Sequence, residues 1–79
     1  MDAMLRNLKR DGLWITGKYK SYRFEAKVYD QPSDYGINGG RISKLLVNDG
    51  TRTIFNYDRG LDIDSPIGYE LAKLLEELK

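Results

Sequence analysis

Three stretches of this sequence hold side chains that could do chemistry. The run "YDRGLDIDS" brings Asp58, Asp62 and Asp64 close together, enough carboxylate to suggest a Ca²⁺ or Mg²⁺ site. Its spacing lacks the alternating oxygens, glycine and distant glutamate of an EF-hand loop, and the same aspartates suit a helix start and a pairing with Arg59. No metal is therefore expected there. The run "YDQPSDYGINGGRIS", residues 29–43, gathers Gly36, Gly39 and Gly40 beside a proline and two aspartates. A phosphate cradle needs such a turn to run from a strand into a helix, whereas this one joins two strands. It reads instead as a flexible or shaped binding loop carrying Tyr35 and Ile37, with Asn38 and Arg41 beside them. The third group is Trp14, Lys18, Arg23 and Lys27, which would share one face of a hairpin. A basic, aromatic sheet face can follow phosphates and stack on bases. The competing expectation is an ordinary solvated face in which Lys27 covers Trp14, and Glu25 argues for it.

The chain has neither cysteine nor histidine. That removes the thiolate nucleophile, the disulfide framework, Cys-type zinc sites and the usual general base, so neither an enzyme nor a cofactor is expected. With 79 residues it reads as one domain, near the lower end of what folds alone. A hydrophobic share of 41% and a charged share of 32% are those of a folding chain, not a disordered one. Residues 1–57 carry ten Lys/Arg against six Asp/Glu, and residues 58–79 three against six. The parts come to +4 and −3, a basic bias compatible with nucleic-acid binding that does not demand it. No apolar run approaches the roughly 20 residues of a bilayer span, and "MDAMLRNLKRDG" lacks the apolar centre of a signal peptide. A cytoplasmic protein with no membrane contact is the expectation.

The elements that must position these groups follow from periodicity. Met1, Met4, Leu5 and Leu8 fall at helical spacing, so residues 1–11 read as a short helix or a flexible arm. From Leu13 the period becomes two. A two-residue turn at Lys20-Ser21 sets Leu13 against Val28, Ile15 against Ala26, Gly17 against Phe24 and Tyr19 against Tyr22, all on one side. A slightly longer turn is the alternative, since Lys-Ser is not a favoured turn pair. Asp49-Gly50 signals a second hairpin with a type I′ turn. It would set Val47 against Arg52, Leu46 against Thr53, Leu45 against Ile54, Lys44 against Phe55 and Ile42 against Tyr57. Leu45, Val47 and Ile54 then fall on one side, Ile42, Leu46, Phe55 and Tyr57 on the other, and both sides need cover. Ser65 as N-cap, Pro66 at the first position and the stripe Ile67, Leu71, Leu74, Leu75 and Leu78 mark a C-terminal helix. The expected fold is α+β: a four-stranded antiparallel sheet of two hairpins with the C-terminal helix packed on one face.

The residues "YRFEAKVYDQPSDYGINGGRISKL" and "NYDRGLDI" resemble a family of small uncharacterised proteins of Firmicutes bacteria and their phages or mobile elements. The likeness covers roughly residues 14–64. It implies no activity, substrate or cofactor. It does place Tyr35, Gly36, Asn38, Gly39, Gly40, Arg41, Tyr57, Asp58, Arg59 and Gly60 in a shared signature. The topology is also similar to the small DNA-binding domains of phage integrases and plant AP2-type factors, which have three strands and read DNA with the free sheet face.

The expected function is a non-enzymatic interaction module. Either the N-terminal segment covers the second apolar face through Met1, Met4, Leu5 and Leu8, or a protein partner or a homodimer does, with Phe55 and Tyr57 as anchors and the Tyr35–Gly40 loop, with Ile37, Asn38 and Arg41, at the rim. The alternative is a nucleic-acid-binding domain that uses Trp14, Lys18, Arg23 and Lys27.

Overall fold

The alternation that begins at Leu13 becomes the centre of a larger sheet. A computed structural model describes residues 5–34, 36–58 and 60–77, with the backbone alone at Asn38, Leu61 and Asp62. Among these residues the strands are β1 (Leu5–Asp11), β2 (Trp14–Tyr19), β3 (Tyr22–Val28), β4 (Ile42–Asn48), β5 (Thr53–Asp58) and β6 (Leu61–Ile63). Helix α1 (Pro66–Glu76) follows them. The sheet order is the chain order, each strand running antiparallel to the next. The fold is α+β with an antiparallel sheet and a C-terminal helix, as expected. The expected count of four strands is too low: five have six or seven residues and a sixth has three.

The added strand at one end corrects the N-terminal expectation. Leu5 and Leu8 lie on β1 and not on a helix. A helix this short is marginal in water, whereas the open edge of β2 offers a row of backbone partners. A bulge between Arg6 and Lys9, with Asn7 at φ 54°, breaks the alternation that would have announced a strand. Met1 and Met4 lie outside the described residues.

The first hairpin has the expected register. Ile15 faces Ala26, Gly17 faces Phe24 and Tyr19 faces Tyr22, and the Val28 amide donates to the Leu13 carbonyl at 2.9 Å. Lys20 takes φ 56° in the turn, a left-handed value that explains why Lys-Ser is uncommon there. The Arg6 guanidinium donates to the Lys20 carbonyl and ties β1 to this turn.

The second hairpin has its turn where expected but not its register. The Asp49 carboxylate accepts from the Thr51 amide at 2.9 Å, the Thr51 hydroxyl at 2.8 Å and the Arg52 amide at 3.0 Å, building a four-residue connection. A bulge follows, and Val47 then faces Phe55 while Leu45 faces Tyr57. Phe55 and Tyr57 therefore join Leu45 and Val47 on one side, and of the apolar groups expected on the second face Leu46 stays there. A further bulge in the β3–β4 ladder sets Ile42 opposite Val28, which turns it inward as well.

One face of the sheet is thus apolar, and α1 closes it. Ser65 occupies the N-cap position in an extended conformation, without a capping bond from its hydroxyl, and Pro66 stands at the first turn. Leu71 and Leu75 are fully buried, with Ile67 and Leu74 at the margin of the core. Gly68 and Ala72, which the expected stripe omits, complete the buried face. Leu78 lies outside the described residues.

Candidate functional site

The glycine-rich loop is folded upon itself. The Ser33 amide donates to the Gly40 carbonyl, the Gly36 amide to Ser33, the Gly39 amide to Gly36 and the Gly40 amide to Ile37, all between 3.0 and 3.1 Å. A Cβ at Gly36 would collide with the Gly40 carbonyl, so this crossing requires glycine. Ile37, 4% exposed, plugs the core beneath the loop. Arg41 locks the far end. Its amide donates to Glu76 Oε2 at 2.6 Å, its Nε to Oε1 at 3.1 Å and its Nη2 to the Glu76 carbonyl at 2.7 Å. With these four amides bonded internally, the loop has little left with which to cradle a phosphate.

The residues expected to form a protein interface are not brought together on an open surface. Phe55 is completely buried under α1, Ile37 is in the core, and Tyr57 is half-buried against the core. Arg41 is held by Glu76. Tyr35 and the Asn38 side chain lie outside the described residues. The change of β5 register explains the placement of Phe55 and Tyr57, which the sequence reading set on an uncovered side. Two carboxylates of "YDRGLDIDS" have separate partners, and the Asp62 side chain lies outside the described residues. Asp58 lies 3.8 Å from Lys44, and Asp64 bonds the Tyr69 hydroxyl, which burial and this carboxylate raise above its ordinary pKa. Among the described residues no group of three His, Cys, Asp or Glu side chains could hold a metal ion.

The face of the sheet opposite α1 is different. Strand alternation arranges its side chains in three rows across β1 to β5. One row reads Asp11, Trp14, Lys27, Lys44, Asp58; the next Lys9, Thr16, Glu25, Leu46, Asn56; the third Arg6, Lys18, Arg23, Asn48, Thr53. Trp14, Lys18, Arg23 and Lys27 do share one face. Arg6, Lys9 and Lys44 join them, and these the sequence reading missed, because their places depend on the β1 bulge and the β4 register.

Trp14 is 39% exposed, with the ammonium groups of Lys27 and Lys44 each 6.0 Å from its ring centre. Lys27 also lies 5.3 Å from the ring of Tyr29, a second exposed aromatic, and its hydrogen bond lowers the Tyr29 phenol below the ordinary tyrosine pKa. Two rings therefore flank one ammonium on an open face. The third row sets Arg6 opposite Lys18 and Lys18 opposite Arg23 with no carboxylate among its members. Directly opposed like charges disfavour a sheet pairing, and at one end of this row the Arg6 guanidinium is held by the Lys20 carbonyl.

No described helix is long and apolar enough to cross a membrane. No curated protein and no solved structure matches the chain. Residues 13–79, from the first hairpin through α1, match a domain of unknown function, DUF7678, and the chain belongs to that family.

Proposed function

We propose that the protein is a non-enzymatic binding module that takes nucleic acid on the free face of its sheet. The observation that carries this reading is the row Arg6–Lys18–Arg23, three opposed cations with no carboxylate in the row. In a domain with only a few kcal/mol of net stability, a polyanion that relieves this repulsion is a fitting partner. Asp11, Glu25 and Asp58 interrupt the face without neutralising it, three carboxylates against the six cations Arg6, Lys9, Lys18, Arg23, Lys27 and Lys44. The reading that favoured a homodimer rested on Phe55 and Tyr57 lying uncovered, and it loses that support with Phe55 in the core. The family match supplies no activity with which to weigh the two.

A mobility-shift titration at two salt concentrations tests this. Affinity falls with salt, with a log–log slope of about −0.7 per phosphate contact on single strands and about −0.9 on duplex. Absence of any shift at low salt refutes the reading.

A further inference from the structure

We infer that the nucleic acid taken by this face is single-stranded, with a base stacked on Trp14 and phosphates on the neighbouring cations. This rests on the nucleic-acid reading above and names its substrate class. Width argues first. Five strands at roughly 4.8 Å spacing make a face about 19 Å across, whereas a duplex major groove is about 12 Å wide and admits a helix or a two-stranded ribbon. This face is too broad to enter that groove. Helix α1 is no substitute reader, because its exposed positions Pro66, Tyr69, Glu70 and Lys73 carry no net positive charge and the exposed residue after it is Glu77.

Chemistry argues second. The paired bases of a duplex are stacked on one another and cannot offer their faces to a side chain, but those of a single strand can. Trp14 and Tyr29 are the exposed aromatics of this part of the face, with Lys27 between them. The ammonium groups of Lys27 and Lys44 lie at the outer limit of cation–π range from Trp14. Lys27 bonds the Tyr29 phenol and Lys44 pairs with Asp58 at 3.8 Å, exposed contacts that phosphates can replace while the ring receives a base. Lys18 and Arg23, four residues along the same strands, continue the cationic path about 13 Å further on.

The chain contains a single tryptophan, so its own fluorescence reports contact at the site. The full chain is titrated with a dT oligonucleotide, an oligo(U) of the same length, a duplex of that length and inorganic polyphosphate. The expected result is Trp14 quenching by one or both single strands, at least tenfold weaker binding to duplex, and little quenching by polyphosphate. A marked preference between oligo(dT) and oligo(U) assigns the strand to DNA or RNA. Trp14→Ala lowers single-strand affinity about tenfold or more, with Trp14→Phe restoring most of it and circular dichroism unchanged in both. Duplex bound as tightly as single strand, or single strand bound without quenching, overturns this inference and leaves the nucleic-acid reading standing. Binding to no nucleic acid overturns both.

Discussion

The backbone of Gly68 packs so close to the ring of Phe55 that a Cβ at position 68 would overlap the ring carbons. The ring's other neighbour on the helix is Tyr69, edge-on with ring centres 5.4 Å apart. This contact fixes how closely α1 approaches the sheet. Gly68→Ala is therefore expected to lower stability by about 1–3 kcal/mol through overpacking, even though alanine favours a helix interior by about 1 kcal/mol. Urea denaturation measures the sum; a neutral or stabilised variant means that the helix does not sit against Phe55.

Arg41→Ala removes the three bonds to Glu76 that join the glycine-rich loop to the end of α1 only in part, since the amide bond remains. The loss of the guanidinium contacts, in a pair that is about three-quarters shielded from solvent, is expected to cost about 1.5–3 kcal/mol. Arg41 lies away from the cationic rows, so oligonucleotide affinity in the folded variant should not change. A thermal melt and a binding titration on the same sample separate the two effects.

Asp49 titrates differently in the folded and unfolded chain. Its hydrogen bonds from Thr51 and Arg52 lower its carboxyl pKa to about 2, against 3.8 for the free side chain. A depressed folded-state value means that its contribution is complete above pH 3.8 and is lost as pH falls toward 2. Asp49→Asn should flatten the acid limb of the stability curve in that window relative to the parent. Identical pH dependence in both proteins would show that the turn is not held by the carboxylate.

Lys18→Gln combined with Arg23→Gln should separate stability from binding. Removing two opposed cations is expected to raise stability by a few tenths of a kcal/mol up to about 1, while lowering oligonucleotide affinity and reducing the single-strand salt slope by about 1.4. Denaturation and salt titration of the double variant give the two numbers. Loss of stability together with unchanged affinity contradicts the role assigned to this row.

The parts of this fold that were legible in the sequence are those set by local pattern. The first hairpin is legible because a two-residue turn and strict alternation allow one register, which also placed Trp14, Lys18, Arg23 and Lys27 on one face. The start of α1 is legible through Ser65 and Pro66. The second hairpin was half legible: Asp49-Gly50 marks the turn, but the turn's length depends on which amides the Asp49 carboxylate captures. That detail moved Phe55 and Tyr57 across the sheet and with them the expected interface. In β1 the bulge at Asn7 concealed a strand behind a helical spacing. Gly68 and Ala72 carry no hydropathic signal, and their role exists only once Phe55 is opposite them. The glycines of the loop were visible as turn formers, but the close crossing of Gly36 and Gly40 and the anchor at Glu76 are tertiary. Arg6, Lys44 and Tyr29 join the candidate site only through neighbouring strands.

The sheet order that equals the chain order also bears on how the protein forms. Each strand meets its partner across a nearby connection, the longest running from Val28 to Ile42, so the sheet can zip from local hairpins with little loop-closure entropy. The helix follows all six strands. During synthesis the sheet therefore emerges with Ile15, Phe24, Leu45, Val47 and Phe55 uncovered, and stays so until Leu71 and Leu75 have left the ribosome. The last turns of the helix decide whether this surface becomes a core or a site for chaperones and aggregation.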